Sequence, residues 1–108
     1  MLSMFGGGYC IKSIIQSDKS RCYLCGRRGG ADPLDEHHVF GGPNRKISEK
    51  YGLKVFLCHS RCHIFGNDAV HKNCDVDKAL KASVQALAMD YYGWTTDDFR
   101  ARFGKNYF

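Results

Sequence analysis

Along the chain the spacing of apolar positions is two in one stretch and three to four in another. Residues 37 to 40 read as a short strand, and Leu53, Val55 and Leu57 alternate with Lys54 and Phe56 in a second. Gly41, Gly42 and Pro43 break the first strand, and residues 44 to 50 read as a polar connection, so the pair predicts a hairpin with a long loop. After Cys58, Ser60 is placed to cap a short helix carrying Cys62 and His63, with Gly66 limiting its length. Asp75 reads as the N-cap of the longest helix, in which Val76, Leu80, Val84, Leu87 and Tyr91 recur at helical spacing before Gly93. Thr95 with Asp98 has the form of a capping box, opening a last helix whose Phe99 and Phe103 share one face before Gly104. Both C-terminal helices read as packing elements. Trp94, Phe99, Phe103, Tyr107 and Phe108 are the aromatics expected to fill the small core.

Composition and charge narrow the picture. A chain of 108 residues allows one domain. Its predicted organisation is an irregular segment over 1–18, a core over 19–74 and C-terminal helices over 75–108. An apolar content of 44% is too high for a disordered chain, and no apolar run approaches the roughly 18 to 20 residues of a membrane span. Three consecutive glycines stand where a signal peptide would be apolar, which predicts a protein that is not exported. The net charge of +5 lies wholly in residues 1–74, which carry eleven Lys and Arg against six Asp and Glu. Lys19, Arg21, Arg27 and Arg28 form one cluster, and Arg45, Lys46, Lys50, Lys54 and Arg61 a second. A polyanion partner or a solvated surface would each account for that charge.

Six cysteines in a chain without an export signal point to metal thiolates rather than disulfides. Cys22-x2-Cys25 and Cys58-x3-Cys62 are two close pairs, the arrangement of a tetrahedral structural zinc site whose four thiolates leave no position for water. His59 is an alternative to Cys58 in the second pair. Cys10 and Cys74 lack a paired neighbour. Four of the five histidines, His37, His38, His59 and His63, fall between or beside these pairs, and His71 follows. Adjacent residues of a strand face opposite ways, so His37 and His38 can do different work, one at a metal and one at a reacting water.

The string EHHVFGG at residues 36–42, followed by LC at 57–58 and CH at 62–63, resembles the HNH, or His-Me finger, nucleases in their zinc-stapled form. The longer HHVFGGPNRKISEKYGLKVFLC, with the later VHKN and FGKNY, is especially similar to small phage-type HNH endonucleases. The resemblance spans about residues 22–74 and implies an α+β fold, a ββα-metal core stapled by zinc with the C-terminal helices packed on it. It implies that His38 is the general base, and that His37 and His63 hold a catalytic divalent cation. Magnesium or manganese is the expected ion, with nickel or zinc as alternatives. Asn67 and His71 are candidates for further ligands. The chain departs from the family's pattern in the three-residue spacing of its second knuckle and at Leu53, which stands in place of the usual central Asn. Asn44 is the candidate to pin the base loop instead.

The implied function is metal-dependent hydrolysis of DNA phosphodiesters in the cytoplasm of a bacterial or phage-infected cell, with a protein partner that targets or activates the nuclease. His38 would take a proton from water, the ordinary imidazole pKa of about 6.5 leaving it neutral at physiological pH. The cation would stabilise the scissile phosphate and the leaving oxygen. Arg45 and Lys46, with Lys50, Lys54 and Arg61, would contact phosphates. Two other readings stay open: a noncatalytic zinc-stapled module that binds nucleic acid, and a zinc-stapled adaptor that contacts another protein.

Overall fold

Two antiparallel strands carry the chemistry-bearing side chains. In the computed structural model, which describes residues 12–108, β1 (Leu34–His38) pairs with β2 (Lys54–Cys58), with Leu34 opposite Cys58, His37 opposite Val55 and His38 opposite Lys54. Cys10 and the triple glycine lie outside the described residues. β1 starts three residues before the predicted strand and ends at His38, because Val39 and Phe40 turn into the core, where each is 1% exposed. The other edge of β2 is not left open. Tyr23 N–H donates to the Phe56 carbonyl, and Phe56 N–H donates to Gln16 Oε1. Ser13 Oγ donates to the Lys54 carbonyl. An irregular segment thus satisfies backbone groups that would otherwise invite a foreign strand.

Between the strands, residues predicted as a polar connection form a short turn (Gly42–Asn44) and then a helix, α1 (Arg45–Lys50). The polar composition misled because α1 buries only Ser48 among its own residues. Ser48 Oγ donates to the Leu53 carbonyl and accepts from Phe40 N–H, tying the end of β1 to the start of β2. Leu53 itself is a core residue with no exposure. Gly52 sits at φ +71°, and a Cβ there would come within 2.5 Å of the Lys12 carbonyl, so the approach of the N-terminal segment requires glycine.

After β2 the chain makes one wide π-type turn (His59–Ile64) rather than an α-helix. Ser60 is not its side-chain cap. Asp32, in the loop before β1, accepts from the N–H groups of both Ser60 and Arg61. Both Phe65 and Gly66 donate to the Ser60 carbonyl, and a Cβ on Gly66 would lie 2.0 Å from the Arg61 carbonyl. The tight return of the backbone therefore depends on this glycine.

The long helix, α2 (Cys74–Tyr92), is capped by Asn73 and not by Asp75. The Asn73 side chain accepts from Asp75 and Val76 N–H, and Asp75 joins Asp77 in the first turn, where negative charge suits the helix dipole. Leu80, Val84, Gln85 and Ala88 are its buried positions, while Leu87 and Tyr91 of the predicted stripe are 44% and 64% exposed. The helix turns its Ala and Gln inward because Phe99 and Phe103 of α3 (Thr96–Phe103) bring the bulk. Those rings stack 4.5 Å apart and pack on Phe40. The Thr95–Asp98 capping box and the Gly93 and Gly104 stops are as predicted. Phe108 is 69% exposed and does not join the core. Gln85, fully buried, fixes the tail by donating to Asn106 Oδ1 and accepting from Tyr107 N–H. The result is a small α+β fold. No helix of the described residues is long and apolar enough to cross a membrane.

Candidate metal centre

Cys22, Cys25, Cys58 and Cys62 come together, their sulfurs all within 4.8 Å of one another and Cys25 Sγ 3.5 Å from Cys58 Sγ. A tetrahedral shell with metal–sulfur bonds of about 2.3 Å sets sulfurs about 3.8 Å apart, so the spacing is compatible with a structural metal held by four thiolates. The first pair sits on a knuckle in which Cys25 N–H donates to Cys22 Sγ; the second brackets the end of β2 and the π-type turn. Burial pushes the Cys58 thiol up to about 12 and raises Cys62 as well. At Cys25 burial acts in the same sense, but hydrogen bonds from the Arg27 backbone and from the Cys58 and Cys22 thiols overcome it and bring the pKa to about 6. One sulfur is thus poised to be an anion beside two, Cys58 and Cys62, that resist ionising without a cation. His59 is not part of this set; its Nδ1 meets the Asp35 carboxylate instead. Cys74 is exposed and lies outside the group.

On β1 the period of two divides the polar residues between two faces. Asp35 and His37 share one face, Glu36 and His38 the other.

On the first face His37, His63 and His71 converge, with ring centroids 4.7 to 5.3 Å apart. Their ligand nitrogens lie within 4.8 Å of one another, and the Nε2 atoms of His63 and His71 are 3.1 Å apart. His63 comes from the π-type turn and His71 from the loop before α2. His71 N–H donates to the His63 carbonyl, and Val70 N–H to that of Cys62, so the loop is laced to the turn. His37 Nε2 is buried with no hydrogen-bond partner among the described residues. Such an orphan is costly, and a cation bound there would remove the cost. Burial and the neighbouring His63 and His71 lower the His37 pKa to about 3, so it is a neutral donor across the physiological range. Burial and His63 also lower that of His71. Asp35 Oδ2 lies 2.9 Å from His63 Nδ1. Although burial opposes it, hydrogen bonds from His63 and His59 hold the Asp35 carboxyl below its ordinary range. Asn67 is not brought to this group. It lies on the cysteine side with Cys25, Arg61 and Asp68, because the chain after Gly66 does not continue as a helix.

On the second face, His38 Nε2 lies 2.7 Å from Glu49 Oε1. Lys54 Nζ is 3.0 Å from Glu49 Oε2 and 3.2 Å from Glu36 Oε2. Asn44 does not touch this arrangement; its Nδ2 donates to the Phe103 carbonyl and so holds the end of α3. Lys54, expected to contact phosphate, is 1% exposed and neutralises two carboxylates. It faces inward because its register position opposite His38 puts it over Glu36 and Glu49.

Both faces of the β1 end open on one cleft of about 480 Å³, lined among others by His37, His38, Arg45, His63, His71 and Lys81. Of the expected basic contacts, Arg45 reaches this cleft. Lys46 and Lys50 are exposed on α1, and Arg61 is exposed on the cysteine side. Asp35, Glu49 and Lys81 escaped the sequence reading. Asp35 was accessible from period two, standing two residues before His37. Lys81 follows Asp77 by one helical turn, and the two form a 2.8 Å ion pair on the cleft wall. Nothing local marks Glu49, whose partner His38 lies eleven residues away across α1. No family model, curated protein or solved structure matches this chain.

Proposed function

We propose that the chain is a metal-dependent endonuclease of the HNH type, hydrolysing DNA phosphodiesters. The observation that carries this reading is the three-imidazole group of His37, His63 and His71 in one cleft with a separately held fourth imidazole, His38. A structural zinc on the four cysteines would clamp the knuckle to the end of β2. His37 and His63, joined by His71, would hold the catalytic cation, which supplies Lewis-acid stabilisation of the scissile phosphate and leaving oxygen. Three imidazoles suit nickel or zinc better than magnesium, which prefers carboxylate and water oxygens.

The chain's own residues account for the rest. Glu49 as a carboxylate only accepts, so His38 donates through Nε2 and keeps its Nδ1 lone pair to take a proton from water. The role expected of Asn44 thus falls to two consecutive residues of α1: Ser48 fixes the strand ends and Glu49 fixes the ring. Arg45 can pair with a phosphate in the cleft.

The test is nicking of supercoiled plasmid with nickel, zinc, manganese and magnesium in separate reactions, alongside His38→Ala. Nicking that is strongest with nickel or zinc and absent in the folded variant is expected. A folded protein with metal on its histidines that cuts in none of these reactions, yet binds DNA, would make it a binding module.

A further inference from the structure

Asp35 belongs to neither the cysteine group nor the pair of histidines on β1, yet its Oδ2 sits between two imidazoles, 2.9 Å from His63 Nδ1 and 2.5 Å from His59 Nδ1. A carboxylate offers only acceptors, so both ring nitrogens facing it carry protons. In a neutral His63 ring, the form that can ligate a cation, this selects the tautomer. With Nδ1–H committed to Asp35, Nε2 is left with its lone pair, and Nε2 is the atom 3.1 Å from His71 Nε2. The side chains of Asp35 and His37 project from the same face of β1, so one strand holds both a ligand and the group that orients another ligand. The ring of His63 also packs beside those of His37 and His71, but Asp35 is the group that meets its Nδ1.

We infer that Asp35 is a positioning residue: its carboxylate fixes His63 as the Nδ1–H tautomer and aims Nε2 at a divalent cation shared with His37 and His71. This rests on the reading of those three histidines as a cation site, but not on any cleavage activity. Ligating imidazoles are commonly oriented through their second nitrogen by a carboxylate, and loss of that partner costs about 10- to 100-fold in metal affinity. His59 on the other side of Asp35 is half-exposed and completes the acceptor's shell without entering the cluster.

The experiment uses the full chain with its cysteines loaded with zinc, titrated with cobalt(II) and followed by visible absorption and calorimetry. Wild type is expected to take up one equivalent at the histidines, without thiolate charge-transfer bands. Asp35→Ala should bind about 10- to 100-fold more weakly, Asp35→Glu should recover part of the loss, and ¹⁵N spectra should show His63 shift from the Nδ1–H form to a tautomer mixture. Thermal melting of the zinc-loaded variants serves as the folding control. Cobalt affinity of a folded Asp35→Ala within twofold of wild type would overturn the inference while leaving the cation site standing. Uptake of a second equivalent that Asp35→Ala abolishes would also overturn it, making Asp35 a ligand. Failure of wild type to bind cobalt at the histidines would overturn both the inference and the site.

Discussion

Lys54 and Glu49 show how a buried charge can support a neighbour. The Lys54 ammonium is held by Glu49 and Glu36, and Glu49 in turn accepts from His38. Removing one partner of such a group leaves the others uncompensated, at a cost of about 3 to 5 kcal/mol. Lys54→Ala should therefore lower stability in urea unfolding by about that amount; a folded variant with only weaker DNA binding would return Lys54 to the phosphate contacts. On the proposed nuclease reading, Glu49→Gln keeps an acceptor but loses the charge, so plasmid nicking should fall by at least about tenfold. Urea unfolding should show a lower stability as well, because the buried Lys54 ammonium loses one of its two carboxylates. His37 makes a prediction about pH. Its pKa is depressed to about 3 in the fold against about 6.5 in an unfolded chain, so below 6.5 the unfolded state binds the extra proton. Its contribution to stability is complete above pH 6.5 and is lost as pH falls, by up to about 1.4 kcal/mol per unit. Melting of zinc-loaded protein between pH 6.5 and 5 should show this slope, and His37→Phe should reduce it, the remainder coming from His71, whose pKa is also lowered.

Among the elements, α2 and α3 were legible because their signals are local: a glycine stop, a capping box, an apolar recurrence within a few residues. Even there, burial depended on partners. Leu87 and Tyr91 fit the helical period but face solvent, while Leu80, Val84 and Ala88 join the core cluster that also holds Phe99 and Phe103. The N-cap turned on which of two neighbouring side chains reaches back to the first N–H groups, and Asn73 does so. Asn73→Ala should cost about 1 kcal/mol in chemical unfolding, with Asp75→Ala near neutral. A larger loss from Asp75→Ala would reverse that assignment. α1 and the π-type turn were not legible, because their supports come from elsewhere in the chain: Ser48 is held by Phe40 and Leu53, and the turn by Asp32. The same contrast governs the site. The cysteine pairs could be read from spacing, the histidines from clustering, and the shared face of Asp35 and His37 from period two. Glu49, by contrast, meets His38 only when α1 folds back on β1, and Asp35 meets His59 and His63 only when the turn reaches it.

At the scale of the molecule, the four-cysteine group joins two segments distant in sequence: the knuckle at 22–25, and the end of β2 with the turn that follows it and carries His63. A chain this small buries a limited core, so metal binding and folding should be coupled. Chelation, or Cys25→Ser, is expected to collapse the circular dichroism melt. An unchanged melt after metal removal would show that Phe40, Phe99 and Phe103 suffice alone. The histidine group depends on the same clamp, since the turn that ends at Ile64 presents both Cys62 and His63.

The His37–His38 doublet in β1 makes the two faces of the strand depend on its register. Were the strand to slip by one residue, the face that carries Asp35 and His37 would carry Glu36 and His38, again an acid and an imidazole two positions apart. The opposite face would carry Val39 where His38 had been and His37 where Glu36 had been, so its imidazole would stand two positions away from the place now facing Glu49. On the proposed nuclease reading, a slipped register would still set an imidazole beside His63 and His71 but would part the other imidazole from Glu49, so parity along one strand governs whether both arrangements exist at once.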